Sequence, residues 1–267
     1  MISKHIKHLA LVPVVMLALG CQSTSEFLDS ATASLKSAMP GNDIHALAYK
    51  GDIKGIQAII DENGADVVNK RNDIGNTPVM MAAFKGQSKT IDYLLKKGAN
   101  IKLVNKDGET VFTAAAQGKQ PATFISLKAE FPKLAKKADY NRITPYMRAA
   151  YSGIGEEFFH SLDDKSFYAK DKDGSDILSW AVGGGNTELV LYYGKRAGKN
   201  LNIDKVRKAQ LENFDNPQSK KSLAALTNVY CNYAWSNKSF KPKSSDSLKF
   251  GRHCKYDWQK LKKQRNG

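Results

Sequence analysis

NDIGNTPVMMAAFKGQSKTIDYLLKKGANIKLVN, residues 72–105, reads as one complete structural unit whose copies organise most of the chain. Asp73, Ile74, Gly75 and Asn76 spell a turn, with Gly75 free to take the positive φ that other residues resist. Thr77 is placed to cap the following helix with its hydroxyl. Pro78 then falls at the first helical position, where its missing N–H is not needed. Ala82 and Ala83 are small enough for a neighbouring helix to come close, and Gly86 ends the first helix. Ile91, Leu94 and Leu95 mark one face of a second helix, which Gly98 and Ala99 close.

Copies recur at a nearly constant step. Gly75 and Thr77 return as Gly108 and Thr110, and Thr110 returns as Thr144, followed by Pro145 and by Ala149-Ala150. A further copy starts at Asp176 in DKDGSDILSWAVGGG. Upstream, Ala48-Tyr49-Lys50-Gly51 matches Ala83-Phe84-Lys85-Gly86. The order turn, Thr-Pro, Ala-Ala, Gly, Leu-Leu, Gly-Ala resembles the ankyrin repeat family. The resemblance implies an all-α solenoid of about five repeats over residues 43–203. Departures are visible. The first copy lacks its hairpin, the third has Phe131-Pro132 where Gly-Ala is expected, and the fifth lacks Thr-Pro.

The chain is long enough for a sizeable core, which a repeat array buries between neighbours and not in one globule. The net charge of +15 is uneven. Residues 205–267 hold 15 Lys/Arg against 4 Asp/Glu, whereas residues 21–204 hold 24 against 22. The basic character therefore belongs to the C-terminal extension.

Residues 1–20 resemble a secretory signal: Lys4 and Lys7 precede an apolar run of 11 residues, 9–19, too short to span a bilayer. Ala18-Leu19-Gly20-Cys21 resembles a bacterial lipobox, with Ala18 where Leu is usual. That resemblance makes Cys21 the lipid-attachment residue, and Gln22 after it favours the outer membrane, periplasmic face. Ordinary signal cleavage, giving a soluble periplasmic protein, is the alternative. Cysteine parity bears on the choice, because lipidation of Cys21 leaves Cys231 and Cys254 to pair in an oxidising compartment. Residues 21–42 are Ser/Ala-rich, and Phe27, Ala31, Leu35 and Ala38 allow a short amphipathic helix, either a tether or an N-terminal cap.

Partner binding in ankyrin arrays uses hairpin tips and the concave side of the first helices. By this resemblance the partner-facing residues are Tyr49, Lys50, Phe84, Lys85 and Tyr151 on the helices, with Asp73 and Asn76 at a hairpin. Gly183-Gly184 takes the matching place in the last copy, and in the third copy Gln117 is followed by Gly118, one residue early. An aromatic followed by Lys, twice, suits a protein partner with apolar and acidic surface. The competing reading has these aromatics packing on adjacent repeats.

No catalytic constellation emerges. The stretch from Asp171 to Asp176 carries alternating carboxylates, but the twelfth position of a calcium loop would be Val182, not Glu. Gly183-Gly184-Gly185 is not followed by Gly-Lys-Ser/Thr. The histidines lie in no metal-ligand spacing, and neither Glu156-Glu157 nor Asp163-Asp164 points to one side of a helix. No enzyme activity, cofactor or metal is expected.

In the extension, residues 204–214 are predicted as a helix ended by Asn216-Pro217. Ser219 or Ser222 is placed to cap a second helix, whose Leu223, Leu226, Tyr230 and Tyr233 cover the open end of the array. A disulfide between Cys231 and Cys254 would close a loop of 24 residues, worth roughly 3 kcal/mol. Two separate thiols are the alternative. Basic residues interleaved with aromatics would suggest nucleic acid in a cytosolic chain, but the signal argues against it. The expectation is a monomeric, lipid-anchored protein whose repeats bind another protein. Lipoproteins of similar layout neutralise phospholipase effectors, which makes an immunity role against an antibacterial toxin one candidate. An envelope scaffold or stress-response adaptor is another, and tail binding to anionic lipid a third.

Overall fold

The computed structural model describes residues 43–197, the isolated positions 206 and 210, and residues 216–236, with side chains to 231. Cys21, Cys254, the lipobox and the proposed helix at residues 27–38 lie outside the described residues. No strand occurs among the described residues, and the all-α solenoid is present.

Each repeat is a pair of helices. The inner members are α1 (Ile44–Lys50), α3 (Pro78–Phe84), α5 (Val111–Gln117), α7 (Pro145–Ser152) and α9 (Ile177–Gly183). Outer members are α2 (Ile53–Asn63), α4 (Ser88–Lys96), α6 (Pro121–Glu130) and α10 (Thr187–Ala197). The fourth repeat departs: a 3-10 turn, Glu156–Phe159, and the short α8 (Asp164–Phe167) replace its outer helix. Inner helices stack in sequence order, α1 on α3, α3 on α5, α5 on α7 and α7 on α9. Paired alanines allow this approach. Ala82, Ala83, Ala115, Ala116, Ala149 and Ala150 are all fully buried. On the outer side an aromatic cluster fills the irregular fourth repeat, with Phe124 edge-on to Phe158 at 4.8 Å and Phe167 on Tyr193 at 4.1 Å.

The hairpins are set by a recurring Asn or Asp. Asn72, Asn105, Asp139 and Asp171 open them, and each side-chain oxygen accepts the backbone N–H groups two and four residues on. Consecutive hairpins are joined by backbone bonds, Lys106 N–H to the Ile74 carbonyl, Tyr140 to Asp107 and Lys172 to Asn141. Helix caps fall at the register position of Thr77, with one correction. Thr110 and Thr144 accept amides of the first turn, and Asp176 does the same for α9. Thr77 makes no such bond, and its hydroxyl is buried without a partner among the described groups.

A second correction concerns the extension. The long helix α11 (Pro217–Ser236) is capped by Asn216, whose side chain accepts the Ser219 amide at 2.8 Å, and not by Ser219 or Ser222. Ser222 instead meets Thr187 at 2.8 Å. Leu223 and Leu226 are buried where α11 packs on α9 and α10. The docking repeats internal geometry. The Asn216 amide donates to the Gly183 carbonyl as the Gln87 amide donates to that of Tyr49. Val206 and Gln210 are helical and buried, and Gln210 donates to the Ser219 hydroxyl. Cys231 is buried on α11.

Candidate protein-binding face

Two of the predicted helix-end aromatics form one unit. Tyr49 at the end of α1 and Phe84 at the end of α3 stack, with ring centroids 6.2 Å apart and planes at 21°. Lys85 leans back over Tyr49, its ammonium 5.0 Å from the ring centroid. Both rings are half-buried, while Lys50 and Lys85 are exposed. The aromatics therefore do pack on adjacent repeats, and they remain partly exposed beside a cation.

Tyr151 is not part of this unit. It sits two repeats on, edge-on to Trp180 at 5.8 Å, and burial pushes its phenol up from the ordinary tyrosine range. Glycines separate the groups. A Cβ on Gly118 would lie 1.8 Å from the Phe84 carbonyl oxygen, and one on Gly184 would lie 2.0 Å from that of Tyr151. These positions are filled by neighbouring backbone and present no side chain. At the hairpin end, Asp73 is exposed. Asn76 is tied into the hairpin layer instead, its amide oxygen accepting from Asn105 at 3.1 Å.

A polar network missed in the sequence occupies the C-terminal half of this face. Arg148 on α7 pairs with Glu109 at 3.1 Å and with Asp139 at 3.7 Å. Glu109 also accepts from Gln117 at 2.9 Å and Asn105 at 2.8 Å. The Arg148 guanidinium lies 5.4 Å from the centre of the Trp180 ring, whose indole N–H donates to Asp171 at 2.8 Å. Burial is the largest influence on Asp139 and raises its pKa, outweighing two backbone N–H bonds and the Arg148 charge. A signal existed in the register. Met81, Ala114, Arg148 and Trp180 share one position of successive inner helices, which places the last two on neighbouring helices. The Asp171 carboxylate is used by its hairpin and by Trp180, and no cluster of metal-binding side chains occurs among the described residues. No described helix is long and apolar enough to cross a membrane.

A family model described as "Ankyrin repeats (3 copies)" matches residues 44–130. The chain is similar to the nuclear factor NF-kappa-B p105 subunit of Gallus gallus, 34% identical over 74 residues, 27% of this chain and 8% of that protein. It is similar to the DNA-binding protein RFXANK of Homo sapiens, 28% identical over 86 residues, 32% of this chain and 33% of that one. Ankyrin repeat family A protein 2 of Homo sapiens is 32% identical over 72 residues, 27% of this chain and 22% of that protein. The matched stretch spans a third or less of each of these relatives. With hairpins, stacked inner helices and family model in agreement, the chain carries ankyrin repeats, a protein-interaction module.

Proposed function

We propose that this chain is a bacterial envelope protein whose array holds a partner protein on the face made by the inner helices and hairpins. The observation that carries the binding reading is the Tyr49 and Phe84 stack with Lys85 over it. Two half-buried rings, fixed by neighbouring repeats, offer an anchor that loses little side-chain freedom when a partner covers it. The signal-like residues 1–20 and the lipobox-like Ala18 to Cys21 support anchoring at Cys21 on the periplasmic face of the outer membrane. A disulfide between Cys231 and Cys254 would then hold the basic tail against α11. The role we favour is immunity: a tight, stoichiometric cover over a toxin such as a phospholipase, held beside the membrane that the toxin attacks. An envelope scaffold would use the same face. No catalytic role is proposed.

The test is capture in the native host, with the signal intact, a C-terminal tag, mild crosslinking and mass spectrometry. A stoichiometric protein partner that is lost with Phe84→Ala plus Lys85→Glu supports the reading. A partner kept by that variant sinks it for this face. A secreted lipase or other toxin as the partner supports immunity. The charge of residues 205–267 favours one second reading, direct binding of anionic lipid by the tail. Binding to phosphatidylglycerol vesicles that collapses as salt is raised, and survives the Phe84 and Lys85 changes, would support it.

A further inference from the structure

Among the described residues, two hold a positive φ without being glycine: Lys119 at 57° and Arg142 at 63°. Each stands where other repeats use glycine. Lys119 follows α5 at the place of Gly51, Gly86, Gly153 and Gly185, all at positive φ. Arg142 occupies the third of the four hairpins, at the place of Gly75, Gly108 and Gly174. At Lys119 the exchange can be read directly: Tyr49-Lys50-Gly51, then Phe84-Lys85-Gly86, then Gln117-Gly118-Lys119. Glycine is required at 118 by the close approach of the Phe84 carbonyl. The lysine has moved into the left-handed place and so remains at the end of the inner helix. That backbone region disfavours a side chain with a Cβ. Two such outliers, both cationic and both exposed, point to a use for the side chains.

Their surroundings agree. Lys50, Lys85 and Lys119 end the inner helices of three consecutive repeats, and all are exposed. Arg142 tops the next hairpin beside Tyr140, which is 63% exposed. Among the described residues neither Lys119 nor Arg142 forms an ion pair. The hairpin anion nearest in register, Asp139, is already engaged by Arg148 and two amides. We propose that Lys119 and Arg142 are contact residues for an acidic, extended segment of the partner protein. The proposal rests on the array-binding reading and specifies the chemistry of that partner.

The experiment uses the full chain and a fluorescein-labelled peptide of four Glu-Pro-Pro units. Its extended backbone rises about 3.1 Å per residue, so Glu recurs every ~9 Å, near the 8–10 Å separation of packed helices. Affinity is read by anisotropy at about 50 mM salt, where screening is modest. Lys119→Gly and Arg142→Gly should each weaken binding two- to five-fold, roughly the range of one exposed ion pair. Each should also raise Tm by about 2–4 °C, because glycine fits the backbone better. Opposite signs in the two readouts exclude misfolding as the cause. Lys89→Ala on α4 and a Lys260, Lys262 and Lys263→Ala tail variant should leave affinity unchanged. Glycine variants that gain stability yet bind the peptide like the parent would overturn the proposal, as would binding that follows the tail lysines. If the peptide does not bind but the captured partner is still lost with Phe84→Ala plus Lys85→Glu, the acidic reading fails and the array reading stands. If that partner is also kept, both fail.

Discussion

Arg148 reaches back one repeat to Glu109, Nη2 to Oε1 3.1 Å, while its guanidinium faces Trp180 one repeat ahead. One side chain thus ties three repeats together across the candidate binding face. Both partners are largely covered, with side-chain exposures of 27% and 13%. Arg148→Ala leaves the Glu109 and Asp139 carboxylates without their cation and removes the cover over Trp180. A loss of about 2–3 kcal/mol is expected by urea unfolding. Glu109→Gln keeps an acceptor for Gln117 or Asn105 and should lose about 1 kcal/mol. In a double-mutant cycle the two changes should couple; strict additivity would remove the pair from the account.

The four hairpin-opening residues distinguish two aspartates. Asn72 and Asn105 do with an amide what Asp139 does with a carboxylate whose pKa is raised by burial. Asp139→Asn keeps the accepting oxygen for Asn141 and Ile143, relieves the burial of a charge and gives up the 3.7 Å pairing with Arg148, so it should stay within ~1 kcal/mol of neutral at pH 7. Asp171→Asn turns an amide N–H toward the indole N–H of Trp180, so it should lose about 1–2 kcal/mol and change the Trp180 fluorescence. Equal losses at the two sites would contradict the geometry.

Gly118 is a matter of space. Its backbone φ is −75°, which any residue adopts, but the added Cβ would stand 1.8 Å from the Phe84 carbonyl oxygen. Gly118→Ala should destabilise by about 1–3 kcal/mol, as overpacking against a backbone does. It should also force α5 away from α3, so that hydrogen exchange speeds up in both helices. Gly64→Ala is the comparison, since nothing stands within 4 Å of a Cβ there and its effect should come from φ alone.

Tyr146 predicts the alkaline limb of stability. Burial first, and then the Asp163 charge, push its phenol up to about 12. An unfolded tyrosine ionises near 10, so the folded state holds the proton longer. The stabilisation is complete below pH ~10 and is lost as pH rises from there toward the folded value, at about 1.4 kcal/mol per unit. Tyr146→Phe should flatten this slope in denaturation series from pH 9 to 12 (roughly the window the shift sets). At pH 7 it should be neutral or slightly stabilising, because the hydroxyl is buried without a partner among the described groups. An unchanged slope would place the titrating group elsewhere, for instance at Tyr193, whose phenol burial also raises.

Much of the array was readable along the chain, because its signals are local. Thr144-Pro145, the alanine pairs and Gly75 act through φ, size and capping within a few residues, and repetition made each copy evidence for the others. The same locality explains a miss. Thr77 stands in the capping place, yet its hydroxyl makes no bond among the described groups, since occupying a position does not set a side chain's direction. The aromatics share one register position along the chain, but that position does not sort them. Tyr49 and Phe84 meet, and Tyr151 turns to Trp180, because glycines 118 and 184 draw the next inner helix onto the preceding carbonyl. Arg148 and Glu109 are 39 positions apart, and no local rule pairs them.

By itself the sequence determined the repeat, its period, the inner and outer helices and the uneven charge, all consequences of short-range backbone and patterning preferences. Tertiary structure alone decided which side chains share the candidate face. It set the cap of α11 on Asn216, engaged Asn76 in the hairpin layer, and placed Lys119 and Arg142 at left-handed positions. The physical reason is that each depends on how closely one repeat approaches the next. That distance is fixed by packing between residues some 33 positions apart, which no single stretch of chain encodes.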